Sequence, residues 1–115
     1  MEIEEAALIY RSTLESQATL GTGTSKVARW NALHDRNHAA YLVLRQTSEG
    51  RREIEKLLTH ADPVVRLGAS AHAVLWDAAM ARPVLEEVAG GPGLAGFTAS
   101  IVLRELDAGR LSHDW

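Results

Sequence analysis

Apolar residues recur along this chain at intervals of three and four, the spacing that puts side chains on one face of an α-helix. Ile3, Ala6, Ala7, Tyr10 and Leu14 form the first stripe, and the helix it predicts runs from about Glu2 to about Leu20. "GTGTS" at residues 21–25 interrupts the pattern. Thr24 or Ser25 is the expected cap of a second helix, because a hydroxyl there can accept from an unpaired N–H of the first turn. This helix carries Trp30, Leu33, Ala40, Tyr41 and Leu44 on one face and is expected to end near Gln46. "TSEGRREIEKLL" opens a third, with Ser48 as cap and Ile54, Leu57 and Leu58 facing inward.

Asp62 is a good N-cap for a fourth helix, and Pro63 suits its first position, where a missing N–H costs nothing. The helix should run to about Leu75 or Trp76. It is apolar on two sides, with Val64, Leu67, Ala71 and Leu75 on one and Val65, Ala69, His72 and Trp76 on the other. Such a helix is normally enclosed by neighbours. Asp77 can cap a fifth, and Pro83 predicts that its regular part starts close to Ala81 or kinks there. After "GGPG" (90–93), a last helix covers about Leu94 to Ala108, with Ala99, Val102, Leu103 and Leu106 inward and Gly109 placed for a left-handed cap. "RLSHDW" (110–115) reads as a tail that Leu111 and Trp115 can pin down.

No alternating apolar–polar run of useful length suggests a strand. Short turns between helices favour antiparallel neighbours. The expected fold is all-α: a single domain over residues 1–115, with about six helices in three antiparallel hairpins, stacked as a short right-handed array without a strict sequence period.

Composition narrows the functional classes. With 46% hydrophobic and 23% charged residues, the 115-residue chain belongs among globular proteins. It has no cysteine, which excludes disulfides, thiolate metal sites and a cysteine nucleophile. The acidic, amphipathic start "MEIEEAALIY" does not resemble a secretory signal, and no stretch approaches the roughly 20 apolar residues of a membrane span. A cytoplasmic location is expected. The net charge of −3 disfavours general nucleic-acid binding and leaves room for a basic protein partner.

"HDRNH" (34–38) holds the densest candidate chemistry. On a helix, His34 and His38 stack on one face beside Asn31 and Asp35, with Trp30 at the edge and Asn37 toward the buried direction. Two histidines at this spacing can chelate a metal, but zinc needs a third protein ligand from elsewhere, and nothing in the sequence places one. The pattern is not H-E-x-x-H. No nucleophile or oxyanion device accompanies the pair, so no enzyme or cofactor is expected. The plain reading is a solvated helix face with local Asp35–His38 contacts. The functional reading is a mixed polar and aromatic contact surface. "GTGTSK" lacks the ending of a phosphate loop and follows no strand. His72 is expected to be partly buried and hydrogen-bonded, and Trp76 to seek a partner for its indole N–H. Charge is uneven: Glu2, Glu4, Glu5 and Glu15 make the first helix acidic, while Arg45, Arg51, Arg52 and Lys56 make the middle basic. Ordinary solubility and pairing within helices explain this. As a functional alternative, Glu4 and Glu5 belong to an acidic edge that steers a basic partner.

The segment "LLTHADPVVRLGASAHAVL" resembles the HEAT-repeat pattern: an Asp-Pro turn, then Val-Arg, then small residues on the buried side. In it Asp62 caps, Val65 docks, Arg66 reaches out, and Gly68 with Ala69 permits close helix approach. "WNALHDRNHAAYLVLR", "EGRREIEKLL", "DPVVRLGASAHAV", "ARPVLEEVA" and "GFTASIVLRELDAGRL" look like successive blocks of a small bacterial HEAT-like family, catalogued as a domain of unknown function. The likeness covers about residues 27 to 111. It implies an all-helical, HEAT-like single domain with no established catalytic activity. Small bacterial proteins of this type are similar to immunity proteins, which bind and neutralise a cognate toxin. The expectation is a protein-binding domain whose contact residues are Trp30, Asn31, His34, Asp35 and His38, with Glu4 and Glu5 secondary. A self-associating scaffold, for instance a homodimer, is the alternative, and a metal-dependent enzyme built on His34 and His38 the third reading.

Overall fold

The helical periodicity is realised along the chain. The computed structural model describes residues 1–20 and 24–111, the side chain of Thr24 excepted. These residues form α1 (Ile3–Leu20), α2 (Val27–Leu44), α3 (Ser48–Glu55), α4 (Pro63–Ala73), α5 (Ala78–Ala89) and α6 (Gly93–Asp107), with 3₁₀ turns at Thr24–Lys26 and Lys56–Thr59. No strand occurs among the described residues. The expected turn at 21–23 and the placement of Trp115 lie outside them.

The core follows the stripes. Ala6, Tyr10 and Leu14 of α1 meet Ala40, Tyr41 and Leu44 of α2, and Val65, Ala69 and Ala73 of α4 pack with Leu85, Val88, Ala99 and Val102 of α5 and α6. The two-sided α4 is enclosed as its pattern requires: it packs against α1, α3, α5 and α6. Leu111 is half-buried against the core and anchors the end of the described chain.

Helix ends show where local chemistry was readable and where it shifted. Asp62 accepts from the Val64 N–H at 2.8 Å, with Pro63 in the first turn, and Asp77 accepts from the Met80 N–H at 3.1 Å. Gly109 has φ +73°, and bonds from the Gly109 N–H to the Leu106 carbonyl and from the Arg110 N–H to the Glu105 carbonyl close α6 as a Schellman motif. The cap of α3 is Thr47 rather than Ser48; its hydroxyl accepts from Gly50 N–H at 3.0 Å. At α2 the cap position falls to Lys26 without a side-chain bond, because the 3₁₀ turn before it delays the α-helical start. Lys26 instead sends its ammonium to the Leu20 carbonyl at 2.9 Å, a free acceptor at the end of α1. The helix α5 starts at Ala78 and runs through Pro83. The bond Pro83 cannot donate would have gone to the carbonyl of Ala79, an exposed residue where water can serve. Helix α4 passes into a turn after Ala73, short of the expected Leu75.

Arg66 also departs from expectation. It does not reach out but is half-buried, and its Nη1 donates to the carbonyls of His60 and Ala61 at 2.8 and 2.9 Å. It thereby staples the loop that precedes its own helix. Glu15 ties the same loop to α1 through His60 at 2.9 Å and also pairs with Arg11 at 3.2 Å. The His60 hydrogen bond, then that of Arg11, holds the Glu15 carboxyl below its ordinary range. A lowered carboxylate stabilises the fold above its unfolded pKa, and that help fades as pH falls through the folded value.

Removing one cap tests this account of the α4 entrance. Asp62→Ala should cost about 1 kcal/mol, the usual loss of a side-chain N-cap, seen as a lower urea midpoint with an unchanged slope.

Candidate functional site

A cavity of about 280 Å³ opens between the C-terminal half of α1, the N-terminal half of α2, α4 and the start of α6. Helical periodicity assembles its wall. α2 contributes Trp30, His34 and Asn37, one stripe at i, i+4 and i+7. α1 contributes Leu14, Gln17 and Ala18; α4 contributes Val64, Leu67, Gly68 and His72; α6 contributes Leu94, Ala95 and Thr98. The wall is mainly apolar, and no Asp, Glu, Lys or Arg lines it among the described residues. Gly68 helps make the room. A Cβ there would stand 2.6 Å from Leu14 Cδ2.

Behind the wall lies a buried polar knot. Asn37 donates from Nδ2 to the Tyr10 carbonyl at 3.0 Å and to Thr13 Oγ1 at 2.9 Å, while the Thr13 hydroxyl donates to the Ile9 carbonyl at 2.7 Å. Tyr10 Oη lies 2.7 Å from His72 Nδ1 and 3.4 Å from the Gly68 carbonyl. Burial, then the neighbouring Tyr41, pushes the Tyr10 hydroxyl well above its ordinary pKa and keeps it a donor. On the other side His72 stacks on Tyr41, centroids 3.8 Å apart and 12° from parallel. The expectation for His72 is met. It is 5% exposed and hydrogen-bonded to a neighbouring side chain.

The "HDRNH" residues divide between two surfaces. Trp30 and His34 stand at the cavity, Trp30 half-buried and His34 exposed. Asn31 and Asp35 are exposed on the adjoining face of α2. The rings of His34 and His38 lie parallel with centroids 6.3 Å apart, and His38 tilts against Tyr41 at 6.0 Å. The local Asp35–His38 contact does not form: His38 is half-buried, and its Nδ1 has no hydrogen-bond partner among the described residues. Among the described residues no group of three or more His, Asp or Glu is arranged to hold a metal ion. Glu4 and Glu5 are exposed in the first turn of α1. At 1.5 Å per residue they lie on the order of 20 Å from Gln17 and the cavity.

Sequence reasoning passed over Gln17, Leu94 and Thr98. The available signal was Gln17, a polar side chain three residues beyond Leu14 in an otherwise apolar stripe, now 6% exposed. Trp76 finds its partner in Glu55, whose carboxylate accepts from the indole N–H at 2.9 Å. At the other end of α2, Tyr41, Arg45, Arg51 and Trp76 line a second, more polar recess, with Arg45 over the Tyr41 ring at 5.5 Å and Arg51 over Trp76 at 5.7 Å.

No helix among the described residues is long and apolar enough to cross a membrane. Comparison with protein-family models, with curated proteins and with solved structures finds no match to this chain.

Proposed function

We propose that this chain is a non-catalytic, HEAT-like binding domain of three helical hairpins, in its most concrete form a cytoplasmic bacterial immunity-type protein that neutralises a basic toxin domain by stoichiometric binding. The observation that carries this reading is the face of α2. Asn31, His34 and Asp35 are exposed together on a helix whose opposite side is locked into the core through Asn37, Ala40, Tyr41 and Leu44. A rigid helix holding polar groups beside an aromatic edge is a pre-organised contact surface, and pre-organisation lowers the entropic cost of association. Trp30, beside His34 at the cavity mouth, supplies the aromatic anchor common at such interfaces. Inhibition would follow from occlusion, with no covalent step. Glu4 and Glu5, remote from this face, would act through long-range steering alone.

The test is capture from the native lysate with wild-type chain and with a chain carrying Asn31→Ala, His34→Ala, Asp35→Ala and His38→Ala, both checked for helicity by circular dichroism. The expected result is a single partner in a 1:1 complex that the variant binds at least 100-fold more weakly. Capture of the same partner at near-normal affinity would remove this face from the model.

Self-association is the second reading, favoured by exposed Leu94, Phe97 and Ile101 along α6. Light scattering separates the two. A monomer at high concentration counts against the scaffold, and a concentration-dependent dimer counts for it.

A further inference from the structure

The cavity between α1, α2, α4 and α6 has polar groups where an ordinary protein contact does not need them. Asn37 and Gln17 are 5% and 6% exposed, yet both line it. The Nδ2 of Asn37 faces two acceptors, one of them a carbonyl, so the orientation of its amide is settled and Oδ1 is left over. The same logic applies to Gln17, whose Nε2 points to the Trp30 carbonyl at 3.4 Å. Two amide oxygens, neither sealed from solvent, thus remain as acceptors without a protein donor among the described residues, beside an apolar wall. Water can serve such groups while the cavity is open, and a ligand that covers them must supply a donor in its place.

We propose that this cavity binds a small, uncharged, mainly apolar molecule carrying a hydroxyl or N–H donor, of the phenol or indole class. Size, charge and polarity each restrict the choice. An apolar cavity of roughly 150 Å³ takes benzene, so about 280 Å³ has room for a ring with a short substituent. A carboxylate or phosphate would meet two amide oxygens and, among the described residues, no lysine or arginine to balance its charge; the imidazoles of His34 and His72 offer ring N–H donors but no fixed charge. An ammonium would find no carboxylate to balance it. A neutral donor gives its single proton to Gln17 Oε1, while the ring covers Leu14, Leu67 and Ala95 and excludes water from them. This is the usual division of labour in a ligand pocket: apolar walls for affinity and a few polar groups for orientation. The cavity shares Trp30 and His34 with the proposed partner face, whereas exposed Asn31 and Asp35 take no part in it.

Titration calorimetry of the full chain with 4-propylphenol, propylbenzene and 4-propylbenzoate tests the assignment. The expected result is saturable 1:1 binding of the phenol, at least tenfold tighter than the hydrocarbon, and benzoate weaker still. Gln17→Leu should bring the phenol close to the hydrocarbon's affinity. Ala95→Leu, which fills the cavity from α6, should weaken the phenol at least tenfold, and Ala18→Leu from α1 should do the same if the first variant loses its helicity. Absence of phenol binding to the folded chain at millimolar concentration would overturn the proposal. So would equal affinity for phenol and hydrocarbon, benzoate binding as tight as the phenol, or undiminished binding in folded cavity-filled variants.

Discussion

Truncating Tyr41 to alanine is expected to lower stability by about 3–5 kcal/mol, the cost of emptying an aromatic site in a close-packed interior. That is a large share of the roughly 5–15 kcal/mol by which a domain is folded. The ring is fully buried and is the surface on which His72 stacks, with His38 and Arg45 against it as well. Two conservative changes separate packing from polarity. The Tyr41 hydroxyl is buried and makes no hydrogen bond among the described residues. Tyr41→Phe removes an unsatisfied group while keeping the ring, so it should leave stability unchanged or raise it by up to about 1 kcal/mol. Tyr10→Phe has the opposite sign. It removes the 2.7 Å hydrogen bond between Oη and His72 Nδ1 in the interior and should cost about 1–3 kcal/mol. Urea denaturation of the set should rank Tyr41→Phe at or above wild type, then Tyr10→Phe, then Tyr41→Ala. A Tyr41→Phe chain less stable than Tyr10→Phe would contradict the placement of the polar knot.

Gly50→Ala is expected to cost about 3 kcal/mol or more, at the upper end of overpacking penalties. Helix propensity alone predicts the reverse, since alanine in place of glycine inside a helix gains up to about 1 kcal/mol. Space decides against it. Gly50 is buried in the first turn of α3, and a Cβ there would collide with the carbonyl oxygen and Cα of Leu44, where α2 ends. The obstacle is backbone, which cannot rotate away without parting the two helices. Gly68→Ala supplies the contrast. Its Cβ would meet the end of the Leu14 side chain, which can swing toward the neighbouring cavity, so the loss should stay within about 1 kcal/mol. Thermal melts of the two variants would show it. A Gly50→Ala midpoint equal to wild type would mean that α2 and α3 approach less closely than described.

Much of this architecture was legible because its signals are local. The stripe Ala6–Tyr10–Leu14 of α1, the Asp62–Pro63 entrance of α4 and the Gly109 exit of α6 each depend on residues within one or two turns of each other, and each appears in place. Boundaries moved where two neighbours offered the same chemistry, as Thr47 and Ser48 do, or where a 3₁₀ turn intervened, as at Thr24–Lys26. Arg66 was misread because the carbonyls it serves lie in an irregular loop whose path has no periodic signature.

The candidate site was only half legible. Residue order placed His34 and His38 on one face of a helix, a matter of 3.6 residues per turn. It also put Asn37 toward the interior and marked His72 as buried and bonded. What it could not supply is which helices meet. Tyr10 and His72 are 62 positions apart and Tyr10 and Asn37 are 27 apart, and no local rule links them. The cavity exists because α1, α2, α4 and α6 converge where Gly68 and two alanines leave space, and because Gln17 faces that space rather than water. Helix identity and face follow from the spacing of side chains along one segment. Cavities and buried hydrogen-bond pairs follow from crossing angles and packing between segments distant in sequence, and those only the tertiary structure decided.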